Sequence, residues 1–127
     1  SLVGSEMCIR DRFYSTSAGR VFMAYMNRSE ALDILDREKR TKTTPNTKTD
    51  LKDLNEELDR IHNQGYAVID EELQMGILGA ACPVFDRNGE LAAAIAFTSM
   101  KDGDTEKMFQ RICQLKECAK EISEAIR

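Results

Sequence analysis

Residues 76–100 read GILGAACPVFDRNGELAAAIAFTSM, and the fold turns on this stretch. Two apolar runs, Gly76 to Phe85 and Leu91 to Ser99, flank Asp86, Arg87, Asn88, Gly89 and Glu90. Asn-Gly between apolar runs predicts an antiparallel hairpin, because both residues tolerate the positive φ of a tight turn. Ala80 to Val84 and Ala92 to Phe97 are nearly continuous in apolar character instead of alternating. Both faces of the hairpin are therefore expected to be covered or to line a cavity.

Working towards the N-terminus, Tyr66 to Ile69 is a short β-prone run. Before it, Leu51, Leu54, Leu58 and Ile61 recur at helical spacing behind Asp50, and Gly65 sits where a helix would end. Thr41 to Thr49 holds five Thr, one Pro and one Asn in nine residues, which favours an extended, polar surface loop. Ser29 is a natural N-cap for a short helix with Ala31, Leu32, Ile34 and Leu35 on its apolar side. An earlier helix begins near Ser17 and places Val21, Phe22, Ala24, Tyr25 and Met26 on one side.

Beyond the hairpin, Met108, Ile112, Leu115, Ala119, Ile122 and Ile126 trace a stripe down a C-terminal helix of about six turns. That stripe is core or a dimer surface. Asp102, Gly103 and Asp104 supply its turn and N-cap, where negative charge suits the positive end of the helix dipole. The order of elements predicts an α+β fold, with helices packed on an antiparallel sheet.

A chain of 127 residues with 42% hydrophobic and 31% charged residues fits one soluble globular domain. A net charge of -4 gives no electrostatic reason for it to hold nucleic acid by itself, since phosphate contacts demand clustered Lys and Arg. The longest apolar runs fall far short of the roughly 20 residues that cross a bilayer, and no signal sequence opens the chain, so a cytoplasmic location is expected. Cys8, Cys82, Cys113 and Cys118 lack metal-ligand spacing and read as free thiols. Neither a metal nor a cofactor is expected.

Three stretches together resemble the effector-binding domain of the IclR family of bacterial transcriptional regulators, in that family's order. These are YSTSAGRVFMAYM at 14–26, the Thr-rich loop and leucine helix running into IHNQGYAVIDEE at 61–72, and the hairpin itself. The resemblance covers residues 13–127 and implies a GAF-like α/β sensor whose first strands are missing here. It also implies a winged helix-turn-helix domain upstream, a homodimer or homotetramer, and DNA contact only through that absent domain. Residues 1–12, SLVGSEMCIRDR, share no periodicity with the rest and resemble translated sequencing-adapter read-through. The natural reading frame is then expected to continue upstream of Phe13.

In that family a small organic acid sits between the sheet and the helix that starts at the Ser-Ala-Gly stretch, here Ser17, Ala18 and Gly19. A helix N-terminus can hold a carboxylate with no basic side chain, through unpaired N–H groups and the dipole. Small residues are expected to let the anion approach closely. The resemblance draws the other wall from the residues around Ile69 to Glu72, with Ile69 and Asp70 as the ligand-binding candidates there, from Ile77 and Gly79, and from Ala96 and Thr98. Characterised relatives tend to carry an acid, a thiol and serines at positions matching Ile69, Gly79, Ala96 and Thr98, and only Thr98 keeps a hydroxyl. With fewer fixed polar groups, an aromatic or longer-chain carboxylate is expected as effector.

Asp70, Glu71 and Glu72 would suggest acid-base or metal chemistry in an enzyme, but adjacent residues point in different directions and read as a solvated turn. His62 has no second histidine to pair with and reads as exposed surface. Two other functions compete. One uses Cys82 as the thiol of a GAF-like redox enzyme, against which stands its place in an apolar run without a basic neighbour. The other is a domain that dimerises a regulator and binds no ligand.

Overall fold

The computed structural model describes residues 13–126, so the reading of residues 1–12 lies outside the described residues. Four helices and three strands follow in order: α1 Ser17–Tyr25, α2 Arg28–Arg37, α3 Leu51–Gln64, β1 Ala67–Asp70, β2 Ile77–Phe85, β3 Leu91–Met100 and α4 Thr105–Ala125. The strands form an antiparallel sheet in the order β1-β2-β3. This is the α+β architecture that the sequence predicts.

The hairpin is present, but its corner is not a two-residue turn. Asp86 N–H donates to Glu90 O at 2.8 Å, Gly89 N–H donates to Asp86 O at 3.0 Å, and the Asp86 carboxylate accepts from Asn88 N–H at 2.8 Å. Gly89 alone takes the left-handed conformation, at φ 78°, because the Asp86 side chain does the turning that Asn88 was expected to share. The register shifts between Val84 and Phe85 as the strands leave this corner.

The helix ends follow local chemistry. Thr16 caps α1 by accepting from Gly19 N–H, and Asp104 caps α4 by accepting from Lys107 N–H. Asp50 caps α3, and Gly65 closes it in the left-handed conformation at φ 83°, returning its N–H to Ile61 O. Asn27, not Ser29, caps α2, since its side chain accepts from Glu30 N–H and starts the helix earlier than Ser29 would.

One core lies between α1, α2, α3 and the sheet. It comprises Tyr14, Val21, Met23, Ala24, Ala31, Leu35, Leu54, Leu58, Ile61, Ala67 and Ala81. A smaller one joins Cys82 and Val84 of β2 to Ala119 of α4 on the other side of the sheet. Beyond Ala81 the open edge of β2 is protected from α4: Phe85 N–H donates to Ser123 Oγ at 3.0 Å, and that hydroxyl donates to Ala119 O at 2.8 Å.

Three expectations change. The hairpin is covered on both faces only along β2, while β3 is exposed or half-buried throughout, because it is the last strand of the sheet among the described residues. The C-terminal stripe is buried only at Ile112 and Ala119, and Ile122 and Ile126 are exposed, since the row of α4 that meets the sheet runs through Ile112, Ala119 and Ser123. The Thr-rich loop is not simply surface: Thr44 and Thr47 are buried, and their hydroxyls are drawn inward to backbone carbonyls of the β1–β2 connection.

Candidate effector site

The register brings Ile69, Gly79 and Thr98 into one row across the sheet, with Ala67, Ala81 and Ala96 in the next row on the same face. Ile77 follows Gly79 by alternation. The start of α1 stands over this face. A Cβ built on Gly79 would lie 3.6 Å from Ser17 Oγ, 3.8 Å from Phe97 O and 4.0 Å from Ile69 Cβ. The missing side chain of Gly79 is thus the space between Ser17 and Ile69.

The amide inventory at this helix start is specific. Gly19 N–H donates to Thr16 Oγ1 at 3.1 Å and Arg20 N–H to Thr16 O at 3.0 Å. Ser17 N–H and Ala18 N–H have no partner among the described residues. Just ahead, Ser15 Oγ is buried and also unpartnered. Gly19, expected to give an anion close approach, serves another purpose. A Cβ there would come within 2.6 Å of Thr16 Oγ1 and 2.8 Å of Phe13 Cα, so the glycine lets the entering chain fold back against the helix.

Eight of the nine residues read from the sequence therefore stand at the α1 face of the sheet or at the start of that helix. Asp70 does not. It pairs with Leu78, whose side of the sheet faces α4, and its carboxylate meets Lys101 Nζ at 2.8 Å. Asp70 and Lys101 edge a cleft of about 320 Å³ between the sheet and the start of α4, lined by Leu78, Phe97, Met108 and Ile112. On the α1 side the wall is open, with Ala96 and Thr98 exposed, rather than an enclosed pocket.

The acidic cluster resolves into unlike members. Asp70 and Glu71 both reach Lys101, whereas Glu72 is buried, at 2% exposure. Its carboxylate accepts two hydrogen bonds from the wholly buried Arg20 of α1, at 2.9 and 2.7 Å, and one from Lys48 N–H at 2.9 Å. Arg20 Nε donates to Tyr14 O at 2.7 Å, which occupies the rest of its fork. Burial pushes the Glu72 carboxyl up, but the hydrogen bonds and charges of Arg20 and Lys48 outweigh it and hold the group below the ordinary range. Glu72 is not part of a solvated turn. Sequence reasoning passed over Arg20 because nothing local marks a charge whose partner lies 52 residues away.

Cys82 is buried, and burial pushes its thiol up to about 11 against a small opposing effect from Lys116, so it is protonated at neutral pH. His62 is exposed, as expected, and its ring lies tilted by 33° against that of Tyr25, with centroids 5.0 Å apart. Among the described residues no group of three or more His, Cys, Asp or Glu could hold a metal ion. None of their helices is long and apolar enough to cross a membrane.

Comparison with known proteins decides the family. A family model described as the C-terminal part of the bacterial transcriptional regulator IclR matches residues 3–124. The chain belongs to the IclR family. It is 33% identical over 116 residues to the HTH-type transcriptional regulator KdgR of Escherichia coli K12, covering 90% of this chain and 44% of that protein. It spans less than half the length of this curated relative.

The IclR architecture is equally clear in solved structures. The C-terminal domain of E. coli KdgR superimposes with a TM-score of 0.83 at 30% identity, covering 90% of this chain and 70% of that one. The inducer-binding domain of the transcription factor PobR from Acinetobacter, a double mutant in complex with 3-hydroxybenzoic acid, gives a TM-score of 0.80 at 25% identity, covering 87% and 65%. The relatives so compared are named as transcriptional regulators.

Proposed function

We propose that this chain is the effector-binding part of an IclR-type regulator, and that a small organic acid occupies the space between the start of α1 and the row Ile69, Gly79 and Thr98. The observation that carries this reading is the pair of unpartnered amides, Ser17 N–H and Ala18 N–H, at a helix start set over a glycine. A carboxylate there would accept from both amides and meet the positive end of the α1 dipole. No free basic side chain is needed, and Arg20 is already committed to Glu72.

The walls favour an acid with an apolar body. Ile69, Ile77 and Ala96 offer only carbon, Gly79 offers room, and Thr98 offers one hydroxyl, and specificity in such sites rests on a few placed polar groups. The 3-hydroxybenzoic acid complex of the PobR domain supports an aromatic carboxylate. Binding would act in the cytoplasm on a helix-turn-helix domain outside this sequence, within a homodimer or homotetramer, by favouring one of two quaternary states.

The test is a titration of the chain with glyoxylate, pyruvate, benzoate and 3-hydroxybenzoate, followed by thermal unfolding and calorimetry. An acid that binds only the folded state at a hundred times its Kd adds about 2.7 kcal/mol of stability. The expected result is a rise in Tm with the aromatic acids. Tight binding of glyoxylate alone overturns the aromatic preference, and no effect from any acid overturns the effector reading in favour of a ligand-free dimerisation domain.

A further inference from the structure

The effector site is held in shape by groups that do not touch its space. The geometry points to Arg20 and Glu72 as positioning residues, which fix the first turn of α1 against the β1–β2 connection and so set the gap between Ser17 and the Ile69–Gly79 wall. This inference rests on the effector reading above.

Arg20 sits one turn after Ser17 and is wholly buried, with its three nitrogens spent on Tyr14 O and on both Glu72 oxygens. A guanidinium held by a fork on one side and a carbonyl on the other has no rotational freedom left, so the helix start cannot slide without breaking charge-assisted bonds. Glu72 lies three residues beyond Ile69 and is tied just as firmly. Its carboxylate takes Lys48 N–H, and Lys48 Nζ stands 3.4 Å away. Its carbonyl accepts from the hydroxyls of Thr43 and Thr47.

Glu72 thus joins three pieces of chain: the helix start that offers the amides, the connection that follows the strand of Ile69, and the Thr-rich loop. Tyr14 adds a second tie between the first and third, since its hydroxyl donates to Thr41 O and accepts from Thr41 N–H, each at 2.9 Å. Preorganisation of this kind matters because a loosely supported site loses affinity to the cost of ordering it on binding.

Replacing both partners by apolar residues separates positioning from stability. A buried pair exchanged for side chains of similar volume costs far less than the loss of one partner, the remaining cost here being Lys48 N–H left without its acceptor, whereas the orienting hydrogen bonds are gone. In the full chain, Arg20→Met with Glu72→Leu is compared with wild type by amide hydrogen exchange, urea unfolding and titration with 3-hydroxybenzoate. Expected is at least a tenfold faster exchange in residues 19–21 and 44–48, with Leu54 to Ile61 of α3 unchanged, and at least a tenfold weaker affinity for the acid. Arg20→Lys, which keeps the charge but not the fork, serves as the second variant and should fall between the two.

Exchange in those two segments that equals wild type in both variants overturns the positioning role, as does an affinity that is unchanged in the doubly apolar variant. A wild-type chain that binds no carboxylate counts against the effector reading itself, and the exchange measurement then still decides whether the pair fixes the helix start.

Discussion

Arg20 and Glu72, 52 residues apart, meet inside the domain through two parallel hydrogen bonds of 2.9 and 2.7 Å, with 0% and 3% of their side chains exposed. A pair in this setting costs desolvation for both ions, and its value lies in geometry more than in net stability. Removal of one partner is another matter. Glu72→Ala would leave a buried guanidinium unpaired and strand Lys48 N–H, so the expected loss is about 3–5 kcal/mol in urea unfolding. A loss below about 1 kcal/mol, the range of a surface pair, would mean that water reaches this position.

The same carboxylate makes stability depend on pH. Its folded value is lowered, so the fold favours the charged form. The resulting stability is fully present above the value of the unfolded chain and is lost as pH falls through the folded value. Urea midpoints should therefore drop as pH falls below the ordinary glutamate range of about 4.3. Glu72→Gln should flatten that part of the curve while lowering stability at neutral pH. A wild-type curve with the same acid slope as the variant would show that other carboxylates govern it.

Cys82 should be chemically silent. With its thiol pushed up to about 11, roughly one molecule in a thousand carries the thiolate at pH 8, and the thiolate is the reactive form. Iodoacetamide at about pH 8 should label the exposed Cys113 and Cys118 and leave Cys82 untouched until urea is added. Mass spectrometry of the labelled peptides checks this. Rapid native labelling of Cys82 would contradict its burial and return the thiol enzyme reading to consideration.

The legible part of this protein is what short-range chemistry writes into a sequence. The leucine helix between Asp50 and Gly65 was readable because cap, stripe and terminator are all local. The hairpin was readable from Asn88-Gly89, and alternation along β3 then places Ala96 and Thr98 on one face. The register that aligns Ile69, Gly79 and Thr98 was not readable, because nothing near Tyr66 says which strand it joins. The burial of Glu72 and of Thr44 and Thr47 was hidden for a different reason. Polar residues inside a fold carry no apolar pattern, and their partners are carbonyls and a guanidinium fixed only by tertiary structure. Asp70 went to the wrong face in the sequence reading because the family pattern names positions, whereas the period of two in β1 assigns sides.

Two glycines near the site should respond to alanine in opposite ways. At Gly79 a Cβ meets its nearest atom, Ser17 Oγ, at 3.6 Å, an ordinary contact on an ordinary strand backbone. Gly79→Ala should therefore raise stability by about 0.5–1 kcal/mol, the amount glycine costs within a strand. Gly79→Leu should instead drive its branch into the gap between Ser17 and Ile69. The chain stays folded, but 3-hydroxybenzoate no longer raises the Tm. At Gly19 the added carbon would stand 2.6 Å from Thr16 Oγ1 and 2.9 Å from Phe13 O, partly against backbone, where nothing flexible can yield. Gly19→Ala should then cost about 1–3 kcal/mol as an overpacked site does, by displacing the entering chain that Glu38 holds through the N–H groups of Phe13 and Tyr14. Thermal unfolding of the three variants with and without 3-hydroxybenzoate reads both effects. A stabilised Gly19→Ala would show that residues 13–16 do not fold back on α1, and an undiminished Tm shift in Gly79→Leu would place the acid somewhere other than over this glycine.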